Sequence, residues 1–176
     1  NKGDFRLVED FAVQYGFNFP EGRYTQDMQL LRLQALYAND ELEKARTLLP
    51  EPIPDQREFQ FLAATIHYDF DEREALIGLL EPIWESGEQL PERMRFILAD
   101  ALYRSEQLAP AALLFESIPA ESPQYHHARY LLAQIARELG EIGRSVSILQ
   151  ELSDTEDAAL WQQYAMRELQ LRELTK

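Results

Sequence analysis

The chain has no cysteine and only seven glycines, nine prolines and three histidines among its 176 residues. Without cysteine there is no disulfide, no thiolate metal site and no thiol nucleophile. Such a composition suits an oxidising compartment, although cytoplasmic domains share it, and the reading leans to the periplasm over the cytoplasm. No Asn-Gly or Asp-Gly pair separates alternating strands, so β-hairpins are not expected. Nor is there a run of about 18 apolar residues, so direct membrane insertion is not expected. Positive charge is scarce as well: 17 Lys and Arg face 31 Asp and Glu, a formal net charge of −14. A field of that sign repels phosphates and anionic lipid, which argues against nucleic acid or a membrane surface as partner. The opening "NKGDFRLVED" has neither an initiator Met nor the pattern of a signal peptide, and the chain is expected to be a mature form or a piece of a longer one.

What is abundant points one way. Apolar residues make up 45% of the chain, enough for a real core, and Leu, Ala, Glu, Gln and Arg dominate. These are strong helix formers. The fold class is read as all-α.

Spacing then organises the helices. Ala99 is followed by Ala111 and then Phe115, and the same intervals link Ala133, Ser145 and Leu149; Ala63, Ala75 and Leu79; and Leu33, Ala45 and Leu49. Successive units are thus offset by about 30 to 36 residues, the length of a helix-turn-helix repeat. In each, an apolar first helix leads through a short polar turn ("ANDE", "DFDE", "RSEQ", "ELGE") to a second helix that opens on the small residue. Prolines at 50, 52, 54, 91, 119 and 123 mark exits and entries, because proline lacks an amide donor and restrains its predecessor. Pro82, inside "ALIGLLEPIWESG", is expected to kink or end its helix early.

The best-formed unit, Ala111-x3-Phe115 with Pro123 beyond it, resembles the tetratricopeptide repeat, and Trp161-x2-Tyr164-Ala165 looks like the aromatic opening of a further unit. The resemblance spans about residues 26 to 170, and a related helical-hairpin repeat is the alternative. It implies a right-handed α-solenoid of antiparallel hairpins over 1–176 as one repeat domain. The expected pairs are 26–38/40–50, 56–69/72–86, 91–104/107–118 and 123–139/141–152. Ala12 precedes Ala45 by about one repeat length, so a helix over 4–15 would trail an incomplete unit. At the other end, 154–176 would supply a terminal or capping helix. A chain that starts and stops mid-unit reads as cut from a longer array.

No catalytic constellation emerges. His126 and His127 are adjacent and point about 100° apart on a helix, so they do not converge on a metal. "DFDEREA" lacks the central Gly of a calcium loop, and "YGFNFPEGRY" has no Lys-Ser/Thr and follows a helix, so it is no phosphate cradle. Its aromatics are expected to pack over the open end of the first repeat. Glu72, Glu74 and Glu81 read as a solvated outer face. No cofactor or metal is expected.

The resemblance further implies that first helices line a concave wall. Carried onto this sequence, the wall takes Gln34 and Tyr37; Gln60, His67 and Tyr68; Arg93, Phe96, Asp100, Tyr103 and Arg104; and Tyr130, Gln134 and Arg137. Aromatic and arginine side chains dominate interface hot spots. Arg104 and Arg137 are expected to stand side by side near Tyr103 and Tyr130, although pairing with Asp100 and Glu138 would neutralise them. With neither Lys nor Asn among these positions, the family's carboxylate clamp for a peptide C-terminus does not transfer. The expected function is a non-enzymatic scaffold for a partner protein or peptide, part of a larger chain or complex, in a bacterial envelope or export assembly. Binding of a polysaccharide in a secretion system is the second reading.

Overall fold

A computed structural model describes residues 2–155 and 159–173. Among them the chain is wholly helical, with no strand: α1 (Lys2–Asn18), α2 (Thr25–Ala38), α3 (Leu42–Thr47), α4 (Arg57–Asp69), α5 (Arg73–Glu85), α6 (Glu92–Arg104), α7 (Leu108–Glu116), α8 (Tyr125–Glu138), α9 (Ile142–Ser153) and α10 (Ala159–Glu173). The all-α expectation holds, with helix ends mostly within two or three residues of those read from sequence. Of the expected terminal helix, residues 156–158 and 174–176 lie outside the described residues. The chain divides into two compact units, Asn1–Pro82 and Ile83–Lys176.

One backbone turn recurs four times. Asp40, Asp71, Glu106 and Gly140 adopt φ of 64°, 55°, 61° and 78°. At each turn the next amide donates back across the helix end: Glu41 to Leu36 O, Glu72 to His67 O, Gln107 to Leu102 O and Glu141 to Ala136 O, at 2.7–2.9 Å. The left-handed residue itself donates to Tyr37, Tyr68, Tyr103 or Arg137 O, at 3.0–3.1 Å. This double closure satisfies carbonyls that the helix end would otherwise leave bare. Only one of the four sites holds the glycine that such a φ favours, so the closure tolerates Asp and Glu.

The turns also correct the repeat register. The step from Asp40 to Asp71 is one position longer than that from Leu33 to Ala63, and the step from Asp71 to Glu106 is one shorter than that from Ala63 to Ala99. Only the second unit is out of step. Counting five residues on from each left-handed position gives Ala45, Leu76, Ala111 and Ser145, all essentially buried, whereas Ala75 faces solvent. Counting seven back gives Leu33, Ala64, Ala99 and Ala133, again all buried. Aligning the units on small residues misplaced the second one, because a leucine fills its close-packed slot.

In the first compact unit α1 and α2 pack together, and α2, α3 and α4 share a core of Leu33, Leu36, Ala45, Phe59 and Ile66. In the second, α6 packs on α7 and α8 on α9, while α10 lies against both α9 and α8. Ser145 replaces alanine at the tight α8–α9 contact, and its hydroxyl donates to Ala133 O at 2.7 Å, which removes the cost of burying it. α10 buries Ala165 in the same manner, about one repeat length beyond Ala133. The early end expected at Pro82 does not occur. α5 continues to Glu85, and burial of Leu80 and Ile83 on either side offsets the lost amide bond.

The loop after α1 departs from expectation too. Phe17 is 87% exposed, and Phe19 and Tyr24 also face solvent, so they do not form a cover. The loop closes on Tyr15 instead. Its hydroxyl accepts the Tyr24 amide at 3.2 Å, and its ring lies 5.2 Å from that of Phe19. A Cβ on Gly22 would come within 2.5 Å of the Tyr15 hydroxyl, so the close approach requires glycine there.

Candidate partner-binding site

The candidate residues of the first compact unit cluster near helix ends. The Tyr37 hydroxyl, at the last turn of α2, donates to Asp69 Oδ2 at 2.8 Å. His67, on the last turn of α4, meets Glu72 Oε2 through Nδ1 at 2.7 Å. Glu72 also accepts from Arg46 Nε at 2.7 Å, and the Arg46 guanidinium lies over the Phe70 ring. The Arg46 hydrogen bond, followed by that of His67, holds the Glu72 carboxyl below the usual carboxylate range. Glu72 therefore belongs to an ion-pair knot, contrary to the solvated face read from sequence. Tyr68 is half-buried and already engaged. Gln34 is exposed, while Gln60 joins Arg57 and Asp55 at the start of α4.

On α6, Arg93 is exposed but Phe96 is not a wall residue. It is buried, three positions before the tight-packed Ala99, with its ring 5.8 Å from Phe115 and 5.1 Å from His127. Asp100 is buried too, and its Oδ2 takes Arg104 Nε at 3.2 Å. The Tyr103 hydroxyl donates to Glu138 Oε1 at 3.0 Å. Burial, reinforced by that bond, pushes the phenol up to about 12. Asp100 thus neutralises Arg104, as the rival pairing had it, but Glu138 is taken by Tyr103 and not by Arg137.

The remaining three candidates converge on a residue of α10. Glu168 Oε2 accepts from the Tyr130 hydroxyl at 3.2 Å and from Gln134 Nε2 at 2.6 Å. Its Oε1 accepts from Arg137 Nη1 at 3.1 Å and Arg172 Nη2 at 3.3 Å. Burial and the Glu168 charge raise the Tyr130 phenol above its ordinary value. Arg172 reaches further, donating to Ser145 Oγ at 2.9 Å and so tying α10 to the α8–α9 contact. Beside this cluster lies an open pocket of about 500 Å³, lined also by Tyr164, Arg167 and Leu171. An aromatic row backs it. His127 stacks on Trp161 at 4.2 Å and 13°, and the rings of Tyr130 and Tyr164 lie 5.6 Å and 5.7 Å from that indole. Burial, with Arg104 adding to it against Asp100, pushes the His127 pKa down, so its neutral form is favoured.

Sequence reasoning stopped one helix short. It recognised Trp161-x2-Tyr164-Ala165 as the opening of a unit but took wall residues only as far as Arg137. Extending the spacing from Ala133 to Ala165 makes α10 comparable to α8, but the offsets that gave Tyr130, Gln134 and Arg137 fall there on Gln162, Met166 and Leu169, so no spacing signal pointed to Tyr164, Arg167 and Glu168. Among the described residues no group of three His, Asp or Glu side chains is placed to hold a metal ion, and no helix is long and apolar enough to cross a membrane. No family model, no curated protein and no solved structure matches the chain.

Proposed function

We propose that this protein is a non-enzymatic scaffold whose helical hairpins stack as a right-handed, tetratricopeptide-like solenoid. A partner protein or peptide would lie along the first helices of the hairpins. The observation that carries the reading is the fourfold turn. The same pair of hydrogen bonds sets Tyr37, Tyr68, Tyr103 and Arg137 at one equivalent position of four successive first helices. A ring or guanidinium repeated at one register suits an extended segment, because each unit can then offer it an equivalent contact. A bacterial envelope or export assembly is the setting this reading favours.

The test is a double substitution, Tyr103→Ala with Arg104→Ala, made in the last turn of α6. Affinity capture from a lysate of the source cells, followed by titration of the protein recovered, is expected to show binding at least roughly tenfold weaker, or about 1.4 kcal/mol. The helical circular dichroism should be retained. Undiminished capture would remove α6 from the binding surface. A parallel calorimetric titration with oligosaccharides covers the rival reading, and saturable heat there without protein capture would replace the scaffold by a carbohydrate-binding module.

A further inference from the structure

The chain carries nearly two acidic side chains for every basic one, yet the pocket between α8 and α10 reverses that balance. Three arginines, Arg137, Arg167 and Arg172, line it against the single carboxylate of Glu168. That carboxylate displays what the pocket chemistry grips. It is held by four donors from two helices, one of them the Gln134 amide, whose residue is only 7% exposed. The donors are not exhausted by it. Arg137 engages Glu168 through Nη1, leaving the rest of an exposed guanidinium at the rim. Arg167 forms no ion pair or hydrogen bond with any described residue. Tyr164 is 45% exposed, and Leu171, which lines the same pocket, is exposed as well.

Resting on the scaffold reading, we infer that this pocket is the seat for an acidic side chain of the partner, a Glu or Asp carboxylate held by Arg167 and Arg137 with its neighbouring apolar or aromatic residue on Tyr164 and Leu171. Guanidinium forks fit planar carboxylates in a bidentate manner, and charge-assisted bonds of that kind are about twice as strong as neutral ones. A singly charged group also suits the surroundings. The net charge of −14 opposes a doubly charged phosphate or a polysulfate more strongly than a lone carboxylate, while salt screens the distant charges more than the contacting ones. The pocket is open to solvent and, at about 500 Å³, admits a side chain with its neighbours rather than a free metabolite enclosed on all sides. Glu168 then acts as a positioning residue, holding Arg137 and Arg172 in place before the ligand arrives.

The experiment uses Trp161, which stacks on His127 behind the pocket, as the reporter, in a Trp84→Phe background that removes the other tryptophan. Calorimetry on the unsubstituted chain guards against any effect of that background. The probes are the capped pentapeptide Gly-Glu-Tyr-Glu-Gly, its Gly-Gln-Tyr-Gln-Gly counterpart, and inorganic phosphate. Saturable binding of the glutamate peptide is expected, weakened at least roughly tenfold by exchange to glutamine and to a similar degree by Arg167→Ala. Arg167→Lys should restore part of the loss, and added salt should weaken the binding further. Because Arg167 is exposed and unpaired with described residues, its replacement should leave the thermal midpoint unchanged. Equal binding of the two peptides, indifference to Arg167→Ala, or tighter binding of phosphate than of the glutamate peptide would each overturn the assignment. Absence of binding by either peptide would overturn it as well. The scaffold reading would then still stand or fall on the separate capture test at Tyr103 and Arg104, which lie on another helix.

Discussion

In the second compact unit Ala111 lies five residues beyond the left-handed Glu106 and is fully buried; in the first, the fifth residue beyond Asp71 is Leu76, and Ala75 faces outward. A similar contrast separates two carboxylates. Glu72, at the entrance to α5, binds Arg46 and His67 at the protein surface. Glu168, in the middle of α10, accepts from four side chains and is mostly withdrawn from water. In the first comparison the backbone device is shared and the side chains differ; in the second the charge is shared and the surroundings differ. A close-packed slot can be filled by a methyl or by an isobutyl group, provided the facing helix gives way. An ion-pair knot at a turn is electrostatic and screened, whereas one flanked by a buried amide also closes hydrogen bonds that water cannot reach.

The sharpest break of the first comparison is Leu76→Ala, expected to cost about 2–5 kcal/mol by leaving a cavity. Ala75→Leu, one position away, should stay within about 0.5 kcal/mol. Chemical denaturation of the two variants decides between the registers, and reversal of that order would restore the one drawn from small residues. In the second unit, Ala111→Leu should overpack the α6–α7 contact at about 1–3 kcal/mol, read as a fall in the denaturation midpoint. A smaller but related effect is expected where the carboxylates are compared. Glu168→Ala leaves the Gln134 amide buried without its acceptor and should cost about 1–3 kcal/mol. Glu72→Ala, at a site water reaches, should cost at most about 1 kcal/mol and less at high salt.

Glu72 adds a pH signature. Its folded pKa is depressed, so its stabilisation is present above the ordinary carboxylate range and fades as pH falls through the folded value. The stability gap between wild type and Glu72→Gln should therefore shrink on acidification. The smallest effect is spectroscopic. Tyr103, raised to about 12, resists ionisation, so its contribution is intact below pH about 10 and is lost as pH climbs toward 12. In ultraviolet titration Tyr103→Phe should remove one late-ionising phenol. Removal of an early one would place Tyr103 in water.

Much of the fold was legible before any coordinates. Prolines, polar turns and helix-forming composition located the helices, because those signals act within a few residues of chain. They could not reveal that Asp40, Asp71 and Glu106 take the left-handed place usually given to glycine, since that φ is held by the closing hydrogen bonds and the packing around them. For the site, residue types and their register were readable: Tyr130, Gln134 and Arg137 were named from spacing and the repeat resemblance. That they meet at Glu168 was not, nor that Phe96 turns inward to His127.

The sequence by itself determined an acidic, cysteine-free chain that is helical across its described residues, since composition and short-range propensity suffice for each of those properties. Tertiary structure decided which of two neighbouring residues enters the core in α5, and which carboxylate each tyrosine and arginine meets. Those partners stand 31 to 38 residues apart along the chain, at Tyr130, Gln134 and Arg137 against Glu168. At such separations no local preference selects one acid over another, and only the packing of α8 against α10 brings the chosen pair within hydrogen-bond reach.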